Sequence, residues 1–267
     1  MELADRKALL TGATGGLGRA IAAAMAAKGA TLLLSARKAE ALEALAAELP
    51  GDGHRVLPAD LAEPGEAERL AAEAGGVDVL LANAGLPAAG LMDDFTAEQV
   101  QRALRVNLES PMLLSQALYP GMLERGAGHL VFIASLAGKA PAPQSCIYNA
   151  TKFGLRGFAL GLRSDLSPQG IGVSLVSPGF IREAGMFAES GASSPPGLGT
   201  STPEQVAKAT VRAIEADKVE IAVAPARQRF LAHFGLASPG IAVRVSSGSA
   251  GQKSAAEIAG GHSQDKR

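Results

Sequence analysis

Tyr148 and Lys152 are separated by Asn149-Ala150-Thr151, and Ser135 lies thirteen residues before the tyrosine. On a helix, Tyr148 and Lys152 stand one turn apart on one face. A phenol titrates near ~10 and does little acid–base work at neutral pH. An ammonium one turn away favours the phenolate and would lower that value. A shift of roughly three units corresponds to about 4 kcal/mol of differential interaction. The Ser135 hydroxyl could hold a substrate oxygen against the phenol. The chemistry this spells is proton transfer at a carbonyl or alcohol, provided that a hydride carrier binds nearby. On its own, a Tyr and a Lys at this spacing make an ordinary amphipathic helix face, so the reading depends on the rest of the chain.

A carrier site is legible at the start. Lys7-Ala-Leu-Leu-Thr11 runs into Gly12-Ala13-Thr14-Gly15-Gly16-Leu17-Gly18 and then into an alanine-rich stretch. This is the strand–turn–helix setting in which a glycine motif has meaning. Glycines let the backbone approach a pyrophosphate, and the helix start offers free N–H groups and a positive dipole end. Gly12, Thr14, Gly16, Leu17 and Gly18 are the expected contacts. The next strand, Thr31 to Ser35, ends in Ala36-Arg37-Lys38. An acid at this strand end would bind the free ribose 2′-hydroxyl of NAD. Here two cations follow an alanine, and an arginine pairs with phosphate and stacks on adenine. NADP(H) is therefore expected ahead of NAD(H). Two further strand ends fit the same groove: Asp60-Leu61, where the carboxylate would accept from adenine, and Asn83-Ala84-Gly85, small enough to approach a ribose.

With these residues in hand, the chain resembles the short-chain dehydrogenase/reductase family in its compact single-domain form, from about Lys7 to Pro225. Six motifs in order carry the resemblance: Thr11-Gly-x-x-x-Gly-x-Gly18, Asn83-Ala-Gly85, Asn107, Ser135, Tyr148-x-x-x-Lys152 and Pro178-Gly179. It implies a Rossmann fold and four catalytic positions. Tyr148 would be the general acid/base, and Lys152 would lower its pKa and bind the nicotinamide ribose. Ser135 would orient the substrate oxygen. Asn107 would hold a helix kink and a water that links Lys152 to solvent. Pro178, Gly179 and Ile181 would lie beside the nicotinamide. Two departures stand out. Glu183 occupies a position where such proteins often carry threonine, and no glycine-rich terminal strand follows Val219 to Pro225. A homo-oligomer is expected, with a dimer ahead of the usual family tetramer.

The elements that must position these groups follow from the pattern. Strands alternate with helices, which argues a doubly wound parallel sheet of about seven strands with helices on both faces. Thr96-Ala-Glu-Gln99 and Thr202-Pro-Glu-Gln205 read as capping boxes. With 267 residues, 47% of them hydrophobic, one domain can bury a large core. Residues 1–245 are read as that domain.

Charge is balanced, at 25 basic against 26 acidic residues, and no basic stripe argues for nucleic acid. The lone Cys146 permits no internal disulfide. The four histidines lack ligand spacing, so no metal is expected. No leader is expected before the first strand, and no unbroken apolar run of about 18 residues occurs. A cytoplasmic protein without a transmembrane span is the expectation.

Three segments invite separate readings. Residues 183–201 have loop chemistry with Met186 and Phe187 embedded, and are read as a mobile lid. Residues 226–245 are apolar enough to need cover; they could close the pocket, meet a partner subunit or touch a membrane surface. Residues 246–267 read as a disordered tail.

The function expected is an NADP(H)-dependent interconversion of a ketone and a secondary alcohol. Leu86, Pro87, Leu136, Phe180, Met186 and Phe187 make the expected pocket apolar, with Glu183 and Gln144 its polar groups. That favours lipid-like, acyl, steroid-like or aryl ketones over sugars. The alternative is a silent NADP(H)-binding sensor or scaffold, which the presence of both Tyr148 and Lys152 disfavours. Epimerase or dehydratase chemistry on this fold would ask for a larger C-terminal lobe.

Overall fold

The structure is a computed structural model, and it describes residues 1–262. Seven parallel strands form one sheet in the order β3-β2-β1-β4-β5-β6-β7. They are β1 (Lys7–Thr11), β2 (Thr31–Ser35), β3 (Arg55–Val56), β4 (Val79–Ala82), β5 (Gly128–Ile133), β6 (Ile171–Pro178) and β7 (Glu220–Val223). The central strands are runs of Leu, Val, Ile and Phe rather than alternating patterns, because helices cover both faces. Successive side chains point to opposite faces. Leu10, Leu34 and Leu81 thus pack against helices α1 (Gly16–Ala26), α2 (Ala39–Glu48) and α8 (Pro203–Glu215). Leu9, Leu33 and Leu80 pack against α3 (Glu66–Ala74), α5 (Ser110–Arg125) and α6 (Cys146–Leu166).

The chain winds outward from β1 to β3, then returns to place β4 on the other side of β1. That reversal opens a crevice at the C-terminal ends of β1 and β4, where ligands bind in open α/β sheets. The glycine turn after β1 lies there. Both capping boxes form: Thr96 caps α4 (Ala97–Leu104) and Thr202 caps α8, each with the reciprocal glutamine bond.

Between α4 and α5 the backbone widens into a π turn over Arg105–Glu109, with Asn107 at its middle. Pro111 explains part of this. It has no N–H to give to the residue-107 carbonyl, so the regular i→i−4 bond cannot form there. The resemblance put a helix kink at this residue, and the kink is this π turn.

The C-terminal part differs from expectation. Residues 226–245 fold as two helices, α9 (Ala226–Ala237) and α10 (Pro239–Ser246). The expected disordered tail is in part a helix, α11 (Ser249–Gly260), with Ser254, Ala255, Ala259 and His262 buried. Its serines and glycines suggested loop, but the run Ser254-Ala-Ala-Glu-Ile-Ala is helix-forming, and Ser254 and Glu257 find backbone partners elsewhere in the fold. The rest of the expected tail, residues 263–267, lies outside the described residues. The loop 183–201 also holds one helical turn, α7 (Met186–Glu189).

Candidate active site

The glycine turn is shaped from β4. The Thr11 hydroxyl accepts the backbone N–H groups of Asn83 and Ala84, both at 3.1 Å. The Asn83 amide donates to the Thr11 and Gly12 carbonyls at 3.0 and 3.1 Å. Gly12 has φ +64°, and a Cβ there would stand 2.8 Å from the Ala84 Cα, so only glycine fits. Thr14 and Leu17 lie partly exposed on this turn. Asn83 is therefore a brace of the turn, a role its sequence position did not disclose.

Around the ends of β2 and β3, Ser35 is buried and its carbonyl accepts Ala13 N–H at 3.0 Å. Arg37 and Lys38 are exposed and form no ion pair among the described residues. Asp60 accepts Ala62 N–H through one oxygen at 3.0 Å, and Leu61 is buried beneath it.

The four proposed catalytic residues come from three elements, and two of them, Asn107 and Lys152, meet at Gly85. Tyr148 and Lys152 lie in the first two turns of α6. Ser135 lies just past β5, and the short turn after it runs against α6. A Cβ at Gly138 would stand 2.6 Å from the Lys152 carbonyl oxygen, which is why a glycine sits at that crossing. The Ser135 hydroxyl accepts Ala137 N–H at 3.1 Å and donates to the Pro178 carbonyl at 3.5 Å, and it stands close enough to the Tyr148 phenol to influence it. A Cβ at Gly85 would lie 3.4 Å from Asn107 Oδ1 and 3.8 Å from Lys152 Nζ.

Lys152 is only 3% exposed, and its Nζ donates to the Ile133 carbonyl at 3.1 Å. No carboxylate pairs with it among the described residues. Burial lowers its pKa from 10.5 to about 8. Its ammonium lies 5.6 Å from the centroid of the Tyr148 ring. The phenol itself is pushed above its ordinary value by burial, and the Ser135 hydroxyl pulls the other way. The expected lowering of the Tyr148 pKa by Lys152 is thus not what this arrangement gives. The ammonium addresses the ring face, and burial of the phenol is the largest influence on it.

Asn107 is fully buried and pairs both ways with one residue. Its Oδ1 accepts Leu86 N–H at 2.6 Å, and its Nδ2 donates to the Leu86 carbonyl at 2.9 Å and to Thr151 Oγ1 at 3.3 Å. Its side chain therefore fixes the backbone after Gly85.

Pro178 ends β6 in register with Val223. Beyond Gly179, Ile181 is buried and bridges to Ser201, while Ser201 N–H reaches the Phe180 carbonyl at 2.9 Å. These contacts pin together the two ends of the 183–201 loop. The Gln228 side chain of α9, 5% exposed, locks the same base. It accepts Phe180 N–H at 3.3 Å and donates to the Leu198 and Gly199 carbonyls at 3.1 and 2.8 Å. Nothing in the sequence around Gln228 announces this.

The loop lies across the crevice. The Ala184 methyl rests against Gly16, Gly185 approaches Leu17, and the Met186 methyl lies 3.2 Å from where a Gly85 Cβ would be. Phe187 packs on Phe180 with ring centroids 4.8 Å apart. Glu183, at the position usual for threonine, has φ +75° and pairs with Arg182 at 2.7 Å. A non-glycine residue there is strained.

A parallel sheet with a switch-point glycine turn and a Ser–Tyr–Lys cluster beside it defines a class of protein. The chain belongs to the short-chain dehydrogenase/reductase family: the family model described as short chain dehydrogenase matches residues 6–194. It is an oxidoreductase of that family. Ketoacyl reductase HetN of Nostoc sp. is 34% identical over 227 residues, covering 83% of this chain and 79% of the relative. The crystal structure of a putative beta-ketoacyl-ACP reductase matches with TM-score 0.77 and 30% identity, over 85% of this chain and all of that one. A short-chain dehydrogenase from Sphingobium yanoikuyae in complex with NADPH matches with TM-score 0.77 and 29% identity, over 88% and 94% of the two chains.

Proposed function

We propose that this protein uses NADP(H) to interconvert a ketone and a secondary alcohol on an apolar substrate. The observation that carries the reading is the Lys152 ammonium. It is buried beside Tyr148 and Ser135, and a single protein carbonyl at 3.1 Å accepts from it. An ammonium has three donors, so two are left for ribose hydroxyls. A dinucleotide fits the residues present: Gly12, Gly16, Leu17 and Gly18 would carry its pyrophosphate, Arg37 and Lys38 its 2′-phosphate, and Asp60 its adenine. Pro178, Gly179 and Ile181 would flank the nicotinamide. The NADPH-bound relative supports this choice, as do two exposed cations without an ion pair where an NAD enzyme would carry an acid.

When bound, the nicotinamide supplies or accepts the hydride. In the direction of reduction, Ser135 and Tyr148 donate to the substrate oxygen as charge builds on it, and Tyr148 gives the proton. Lys152 holds the ribose and returns a proton toward Tyr148. Asn107 keeps Gly85 and Leu86 in place against them. The 183–201 loop acts as a lid. Its Ala184 now covers Gly16, so it must shift for a pyrophosphate to reach that turn, and Met186 and Phe187 then exclude water above the nicotinamide. The apolar Leu86, Leu136, Phe180 and Phe187 favour an acyl or aryl ketone, and the ketoacyl reductase among its relatives acts on the first kind.

The deciding experiment is a panel of acyl, aryl and steroid-like ketones and alcohols assayed with NADPH and with NADH. NADPH-dependent turnover of an apolar ketone is expected. NADPH binding without turnover of any member would favour a sensor, and a preference for NADH would remove the 2′-phosphate assignment.

A further inference from the structure

We propose that α9 and α10 dock this protein on an anionic lipid surface. The inference rests on the geometry of these helices and not on the reaction. Helix α9 buries one stripe, Gln228, Ala232 and Gly235, against the body of the protein. At helical spacing, Phe230 and Phe234 fall on the opposite side, and their rings stack with centroids 6.3 Å apart. Phe230 is 68% exposed. Helix α10 has no buried residue at all, and Ile241, Val243 and Val245 are 49%, 49% and 60% exposed. Six of the eleven exposed large apolar side chains of the described chain fall between Phe230 and Val245, so exposed apolar surface is concentrated in this stretch rather than scattered.

Charge decides what covers it. Between Glu220 and Glu257 the sequence contains no acid, while Arg227, Arg229, Arg244 and Lys253 are all exposed. A second copy of this chain docked through the same patch would bring the same cations against these, with nothing to neutralise them. A membrane surface carrying anionic headgroups neutralises the arginines and takes the phenylalanine and valine side chains into its acyl boundary. An outward phenylalanine pair, with exposed aliphatic side chains next to it and cations but no acids around, binds lipid in this way. No helix among the described residues is long and apolar enough to cross a membrane, so the contact would be peripheral.

Cosedimentation with lipid vesicles tests this on the full chain. One set is phosphatidylcholine alone, the other phosphatidylcholine with phosphatidylserine. The protein is expected to pellet with the second set, weakly with the first, and to be released by high salt. Phe230→Ser with Phe234→Ser, and separately Arg229→Glu with Arg244→Glu, should each weaken binding by roughly tenfold or more. Both pairs alter exposed side chains, and circular dichroism confirms their folding. Failure of the native protein to bind phosphatidylserine vesicles overturns the proposal, as does full binding by the serine pair. A native dimer that ignores vesicles and becomes monomeric in the serine pair would assign the patch to a second copy instead.

Discussion

His262 Nε2 lies 3.0 Å from the carbonyl oxygen of Met186, so the end of the described chain grips the loop that covers the glycine turn. Its other ring nitrogen faces the Ile258 carbonyl at 2.8 Å. Nearby, Ser193 N–H donates to Glu257 and its carbonyl accepts from Ser254, both at 3.1 Å. Helix α11 is thereby a clasp on residues 186–193.

Loosening the clasp should loosen the loop. Each lost hydrogen bond is worth about 1 kcal/mol, so Ser254→Ala with Glu257→Ala should raise amide exchange across 186–193 by roughly 10- to 30-fold. Hydrogen exchange read by mass spectrometry measures it. Unchanged protection in that window would mean that the clasp holds nothing.

The apolar tip should govern substrate more than cofactor. Met186→Ser with Phe187→Ser is expected to raise KM for a bulky apolar ketone and leave NADPH affinity close to native. Protection across 183–201 should grow from the free protein to the NADPH complex, and again with a dead-end substrate analogue. Equal protection in all three states would refute a lid.

Tyr148→Phe removes one hydroxyl and keeps the ring under the Lys152 ammonium. Turnover should fall by about 10²–10⁴-fold, the usual share of general acid–base catalysis, with the NADPH dissociation constant near native. A variant retaining a tenth or more of native kcat would show that the proton comes from elsewhere.

Arg37→Ala should raise KM for NADPH and leave that for NADH nearly unchanged. This is an exposed rim position, so the effect should not exceed about 2 kcal/mol, or roughly 30-fold. Equal losses with both cofactors would remove Arg37 from the 2′-phosphate.

Lys152 imposes a cost on the folded state that pH reveals. Its pKa is about 8 when folded against 10.5 in the open chain. Between these values the unfolded chain binds more protons, so stability rises with pH across that window, and below about 8 the full penalty of about 3 kcal/mol applies. Lys152→Met should therefore gain on the native protein at pH 7 and lose that gain by about pH 10.5. The orphaned Ile133 carbonyl offsets about 1–2 kcal/mol at every pH, so the slope is the readout. Parallel stability curves for the two proteins would contradict the assignment.

What the sequence disclosed was local. Thr96 with Gln99 and Thr202 with Gln205 are signals complete within four residues, and both helix starts formed as read. The strand ends at Thr11, Ser35 and Ala82 carry their own hydrophobic runs and turn residues. What it hid was set by partners far along the chain. The Thr11 hydroxyl and the Gln228 amide look like any polar residue until the elements they bridge are in place. The tail was misread because composition treats Ser254 and Glu257 as solvated, whereas their partner Ser193 lies some sixty residues earlier. The phenol was misread because charge proximity can be inferred from spacing, and burial cannot.

The brace between Thr11 and Asn83 spans 72 residues of chain. Contacts that close so long a loop are made slowly, because chain entropy is lost before they form. During synthesis the glycine turn is complete in covalent terms long before Asn83 leaves the ribosome, yet it has neither the Thr11 bonds nor the Ala84 wall that shape it. A nascent or proteolysed fragment ending short of β4 would carry the whole glycine motif and show no affinity for nucleotide. Nucleotide binding by partial chains of increasing length would then report the moment at which the two halves of the sheet meet.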